Sequence, residues 1–186
     1  MIGFPDAERF ASNNHGQRRG DLYPRLIIIH YTGMESVKLA LERLCSPLHA
    51  VSAHYLITVD GKVVQLVGEE RRAWHAGKSF WRGEKDINSS SIGIELDNNG
   101  FQPFSFPQMQ SLVSLCLDIQ DRWAIRPSGI LGHSDIALQR KTDPGKKFDW
   151  ASLAQFGVGI WPESPKEQNI TPACEEDFLN KAGYLG

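Results

Sequence analysis

The chain has 186 residues, enough for one domain with a sizeable core and too few for two ordinary ones. Apolar residues make up 41% and charged residues 23%, which places it among soluble globular proteins, and a formal net charge of −2 argues against a nucleic-acid binder. No stretch approaches the ~18 apolar residues of a spanning helix.

Three cysteines, Cys45, Cys116 and Cys174, are widely spaced and form no C-x-x-C pair. That pattern argues against a disulfide framework and fits a reducing compartment. The first twenty residues hold no apolar core of signal-peptide length and no lipid-attachment cysteine, so the expected location is cytoplasmic. A signal removed beforehand would leave no trace and would make the protein periplasmic instead.

Residues 1–24 are polar and turn-rich and read as an irregular N-terminal arm. The apolar, β-branched run at 26–29 has the signature of a buried central strand, and it ends at His30. A helix is expected over 36–44. Strand-like runs at 51–58 and 62–67 flank Asp60 and Gly61, a hairpin signal. Residues 71–90 form a long loop carrying glycine and tryptophan, and long loops inside a domain are often functional. Another short strand follows at 91–96. Ser105 and Gln108 have the spacing of a capping box, with Pro107 in the first turn, and open a helix with Met109, Leu112, Val113, Cys116 and Trp123 on one face. Ile130, Leu131 and Gly132 lead into His133, then a polar loop at 134–148 and a short helix at 149–156. A further short helix is expected in the tail, 163–186, after Thr171 and Pro172. Strands alternate with helices, so the reading is an α/β single domain with a mixed central sheet flanked by helices.

His30 and His133 each follow an apolar run, and Asp143 lies ten residues beyond His133. Side chains at the ends of central strands converge on one sheet edge, where α/β ligands bind. Two imidazoles and a carboxylate suit a catalytic zinc whose fourth position is left for water. Taken singly, each histidine reads first as a hydrogen-bonded structural residue. Pro144 biases Asp143 toward an extended conformation, which puts Lys141 on the same side of the chain. The alternative there is a solvated pair on a surface loop. In 91–96, Ile92, Ile94 and Leu96 alternate with Gly93 and Glu95. Glu95 then faces away from the isoleucines, as a general base if that face is a cleft and as an ordinary polar residue if it is not. Trp74, His75, Phe80 and Trp81, with Arg72 and Arg82 nearby, suit a sugar or peptide ligand, or else anchor the loop by packing. His54 and His75 are additional candidate site histidines, His54 leaning structural.

Five blocks carry a family resemblance: IIIHYT at 27–32, SAHYLITVDGKVVQLV at 52–67, RAWHAGKSFWRG at 72–83, NSSSIGIEL at 88–96 and GHSDIALQRKTDPGKKFDW at 132–150. In this order they resemble the peptidoglycan amidases, and they cover most of 25–162. The resemblance implies zinc (Zn2+) held by His30, His133 and Asp143, Glu95 as catalytic carboxylate and Lys141 as the cation at the carbonyl. It implies substrate contacts from the loop that holds Arg72, Trp74, His75 and Trp81. The implied reaction is hydrolysis of the amide between the lactyl group of N-acetylmuramic acid, including its 1,6-anhydro form, and the L-alanine of a stem peptide, in wall recycling. The implied partner is a muropeptide, with neither nucleic acid nor a membrane span. The rival readings are a secreted or envelope-associated wall-remodelling amidase and a non-catalytic peptidoglycan-binding module. The chain departs from the family in one visible place: Leu138 and Gln139 stand where Pro-Gly is frequent.

Overall fold

The apolar run that begins at Leu26 extends to Tyr31 and forms the central strand of a mixed sheet. The structure, a computed structural model, describes residues 2–20 and 23–162; the expected tail helix and Cys174 lie outside them. The strands are β1 (Glu8–Arg9), β2 (His15–Gly16), β3 (Leu26–Tyr31), β4 (Tyr55–Ile57), β5 (Val63–Gln65), β6 (Arg72–Ala73), β7 (Ser91–Leu96) and β8 (Ile130–Gly132). The main sheet runs β1-β5-β4-β7-β3-β8, and β2 and β6 form a separate antiparallel ribbon. β4, β7, β3 and β8 are mutually parallel, whereas β5 turns back antiparallel on β4. The turn between β4 and β5 uses Gly61 at φ +88, and a Cβ there would sit 2.8 Å from the Pro107 carbonyl oxygen.

The two faces of the sheet differ. Ile27, Ile29, Tyr55, Ile57, Ile92, Ile94, Leu96 and Ile130 form one core with Leu112, Leu115, Cys116 and Ile119. Those last four come from helix α3 (Phe106–Trp123), so the face opposite the cleft is closed by one amphipathic helix. On the other face the apolar residues split into two groups. Leu56 and Val64 pack with Ala40 and Leu44 of α1 (Val37–Cys45), and Ile28 and Leu131 pack with Trp81, Ile87 and Ile136. Among the described residues no helix is long and apolar enough to cross a membrane.

Several sequence expectations are adjusted by packing. Ser105 caps α3 by accepting from the Gln108 N–H at 3.2 Å, but Gln108 does not reciprocate. Its fully buried amide donates instead to the carbonyls of Ile57 and Asp97, at the ends of two sheet strands. The loop at 71–90 contains β6 and a helical turn α2 (Ile87–Ser90), and the loop after His133 begins with α4 (His133–Ile136). The helix expected at 149–156 is α5 (Trp150–Gln155), capped by Asp149. The arm at 1–24 is less irregular than its composition suggests. β1 adds to the sheet edge, and the Arg18 guanidinium is threaded among the carbonyls of Glu69, Asn88, Ser89 and Ser91. Neither a two-residue strand nor one buried arginine produces a periodic signal.

Glu69 ties this arm's partner segment to α3. It is fully buried, accepts from the Tyr55 hydroxyl and Trp123 Nε1, and pairs with Arg122. Breaking a buried pair leaves a charge with less than its needed partners, so Glu69→Ala should cost about 3–5 kcal/mol in urea unfolding. A loss below about 1 kcal/mol would show that Arg122 relies on Asp118 alone.

Candidate metal centre

Parallel pairing brings the candidate residues to one edge. In the β3–β7 register His30 lies opposite Glu95 and Ile28 opposite Gly93, so His30, Gly93 and Glu95 share the cleft face. β8 lies on the other side of β3 and ends at Gly132, which hands the chain to His133 at the first turn of α4. The loop after α4 returns Asp143, and its carbonyl accepts from the Ser134 N–H at 2.9 Å. His30, His133 and Asp143 are all buried, and their ligand atoms lie within 4.8 Å of one another. His30 Nδ1 is 2.9 Å from His133 Nδ1, and each is 3.0 Å from Asp143 Oδ2.

The triangle turns two imidazole nitrogens and one carboxylate oxygen, each able to offer a lone pair, toward a common point. His133 Nε2 lies 3.1 Å from the Ala76 carbonyl, which can only accept, and 3.4 Å from Arg140 Nη2, which can only donate; the closer contact puts the ring proton on Nε2 and a lone pair on Nδ1. The Arg140 Nη2 donates to the same carbonyl at 2.8 Å and to that of Lys78 at 2.7 Å. Burial pulls the His30 imidazole down to about 4, against the upward pull of Asp143, so this ring is neutral near pH 7. Burial alone would raise the Asp143 carboxyl, but the His133 and His30 rings set against it outweigh that and hold it well below the usual carboxylate range. Ligands of a tetrahedral zinc with bonds of ~2.0–2.1 Å lie roughly 3.3 Å apart. The observed triangle matches that within a few tenths of an ångström, and its two imidazoles and one carboxylate fit the ion chemically.

Around the triangle a cleft of about 390 Å³ is lined by Glu95, Trp74, His75 and Lys141, with Met34, Arg43 and Leu44 on the α1 side. Among the described residues, the buried Glu95 Oε2 has no hydrogen-bond partner. Burial pushes the Glu95 carboxyl up to about 8; the Asp143 charge adds to this and Lys141 opposes it. Lys141 is exposed and shares the cleft with Asp143. Gln139, in the segment that departs from the family, has φ +62, a conformation glycine adopts without strain.

Two candidates fall elsewhere. Trp81 is 6% exposed and packs with Leu26, Ile28 and Ile136, outside the cleft. Arg72 pairs with Asp86 at 2.7 Å and donates to Ser89 Oγ at 3.1 Å, which commits it to the base of the loop. Large aromatic and long cationic side chains serve equally as anchors, and sequence alone does not separate the two uses. Conversely, the Ala76 carbonyl and Arg140 were missed, because a backbone acceptor leaves no mark in the sequence.

Comparisons with known proteins fit this geometry. The family described as N-acetylmuramoyl-L-alanine amidase matches residues 20–146. The chain is 43% identical over 162 residues to the N-acetylmuramoyl-L-alanine amidase AmiD of Escherichia coli (strain K12), a match covering 77% of this chain and 58% of AmiD. It is 35% identical to the 1,6-anhydro-N-acetylmuramyl-L-alanine amidase AmpD of Enterobacter cloacae, over 87% of this chain and 94% of AmpD. The structure superposes on E. coli AmiD in complex with the substrate anhydro-N-acetylmuramic acid-L-Ala-D-gamma-Glu-L-Lys, with a TM-score of 0.78, 36% identity, and coverage of 90% of this chain and 75% of that one.

The raised Glu95 carboxyl has a consequence for the metal-free protein. Between about 4.5 and about 8 the folded state holds a proton that the unfolded state has released, so this group makes stability fall as pH rises through that window. Glu95→Gln removes the effect. In chelator-treated protein the variant and wild type should be similarly stable near pH 5. By pH 8 the variant should be ahead, the gap growing by roughly 1 kcal/mol per pH unit. Parallel stability–pH curves would show that Glu95 is ionised in the fold.

Proposed function

Because the chain belongs to the N-acetylmuramoyl-L-alanine amidase family, matched over residues 20–146, we propose that it hydrolyses the amide joining the muramic lactyl group to the L-alanine of a stem peptide. The proposed metal is zinc, held by His30, His133 and Asp143. The observation that supports this reading most is the convergence of three candidate ligand atoms within 3.0 Å, beside a Glu95 oxygen that has no hydrogen-bond partner among the described residues. A zinc ion in that position supplies a Lewis acid and lowers the pKa of water toward ~7.

The remaining roles belong to the chain itself. Glu95 takes the proton of the attacking water on Oε2 and later delivers it to the leaving L-alanine nitrogen. A carboxyl shifted toward neutrality is suited to both transfers. Lys141 meets the negative charge that develops on the lactyl oxygen. Trp74, at the cleft wall, offers a face to the sugar or the peptide. Trp81 and Arg72 are not part of the proposed contact set. The proposed substrate is a soluble anhydro-muropeptide, in recycling. The free thiols of Cys45 and Cys116 support a cytoplasmic location, which fractionation of the native protein would check.

Two measurements test the assignment. Glu95→Gln should keep its zinc while kcat falls by roughly 10²–10⁴, whereas His133→Ala should lose both zinc and activity. Zinc retained at full turnover in either variant would end the corresponding role. Purified protein should also release peptide from a soluble anhydro-muropeptide, with product mass as the readout. Cleavage of intact sacculi alone would favour the wall-remodelling alternative, and binding of either substrate without turnover would favour a recognition module.

A further inference from the structure

Beneath the cleft lies a chain of hydrogen bonds that ends on a single backbone carbonyl. The Ser91 Oγ is 2.6 Å from the Ile87 carbonyl oxygen, to which it donates its one proton. Its lone pairs are then left to accept from His75 Nε2, at 3.2 Å. A His75 that is protonated on Nε2 carries a lone pair on Nδ1, and that atom lies 3.1 Å from His30 Nε2. His30 must therefore donate from Nε2, which leaves Nδ1 bare and turned to His133 and Asp143. We infer that His75 and Ser91 are positioning residues that fix the tautomer and the aim of His30, so that Nδ1 is the atom offered to the metal.

The surroundings of His75 suit such a part. The backbone N–H groups of His75 and Ala76 both donate to Asn88 Oδ1, at 2.9 and 2.8 Å, so the segment cannot slide. Its ring lies against Gly93, where a Cβ would be 2.4 Å from the His75 Cγ; glycine is required there to let the ring approach the sheet. The described side-chain partners of His75 are an imidazole and a hydroxyl, not a carboxylate, and Arg18 and His54 lie behind it. An imidazolium at this point would be a buried charge without a counter-ion, so the neutral ring, with one donor and one acceptor, is the form the site accommodates. Residues behind a metal ligand typically alter affinity 10–100-fold when removed, because they set both the tautomer and the basicity of the ligand.

This inference deepens the metal-site reading and rests on it for its consequence, yet the tautomer exists in the metal-free protein and is measured there. In ¹⁵N-histidine-labelled, chelator-treated wild type, long-range ¹H–¹⁵N spectra should show His30 with a protonated Nε2 and a bare Nδ1. A His30 protonated on Nδ1 would overturn the proposal without any variant being made. The second measurement is zinc affinity by chelator competition. His75→Leu, which removes the acceptor, should weaken zinc 10–100-fold and mix the His30 tautomers. His75→Asn places an amide oxygen near the Nδ1 position and should stay within about threefold of wild type. Ser91→Ala should fall between them. Equal zinc affinity in His75→Leu and His75→Asn would overturn the positioning role. Should wild type show the expected tautomer and bind no zinc, the relay stands and the metal reading fails, so the two are separable.

Discussion

The parallel pairing of β3 with β7, which puts His30 beside Glu95, is the constraint on which the site depends. In a parallel pair, side chains opposite each other project from the same face, so a one-residue slip would send Glu95 into the apolar layer under α3. That slip is opposed by the whole core, since Ile27, Ile29, Ile92, Ile94 and Leu96 would then exchange faces with His30, Gly93 and Glu95. The register that keeps hydrocarbon out of water thus also sets a carboxylate beside an imidazole. β8 joins the other side of β3 in the same direction and delivers His133 to the same edge.

Burying so many polar rings side by side is expensive unless each has a partner. Here the partners are largely backbone groups. The Gly93 N–H donates to His54 Nδ1 at 3.0 Å, so the His54 proton lies on Nε2, aimed at the Arg71 carbonyl 3.1 Å away. His133 relies on the Ala76 carbonyl, and the Ser91 hydroxyl relies on that of Ile87. Main-chain anchors are placed by the fold and have no rotamers of their own, so the imidazoles inherit the rigidity of the strands and turns behind them. Arg18 closes the underside by donating to the carbonyls of Asn88, Ser89 and Ser91.

Much of this was legible in the sequence. The apolar run before His30 marked a central strand, and the alternation in 91–96 correctly separated Glu95 from its isoleucine neighbours. The grouping of Asp143 with two histidines was visible only as a pattern of residue types and as a family resemblance, because nothing local sets the distance between a loop and two strand ends. The aromatic loop divided: Trp74 reaches the cleft, whereas Trp81 fills the gap over Ile28 and Leu131. Both are tryptophans in the same glycine-containing segment, and only the turn geometry between them decides which side each takes. The relay through Ser91 was not legible, since serine in a strand carries no distinguishing periodicity and its partner is a carbonyl. The half-formed capping box has a similar origin, the Gln108 amide being drawn to the two carbonyls buried beneath it.

The ligand atoms stand on strand ends and an anchored loop, whereas the cleft walls come from Met34, Arg43 and Leu44 on one side and from residues 140–142 on the other. The α1 wall is therefore a module apart from the floor, whereas the 140–142 wall belongs to the loop that carries Asp143. Substitution in α1 would reshape what fits while leaving in place the strand ends and the loop that hold the three ligand atoms. Within such an architecture, descendants could diverge in the size and charge of the cleft over many generations of drift while the chemistry at its base is inherited unchanged.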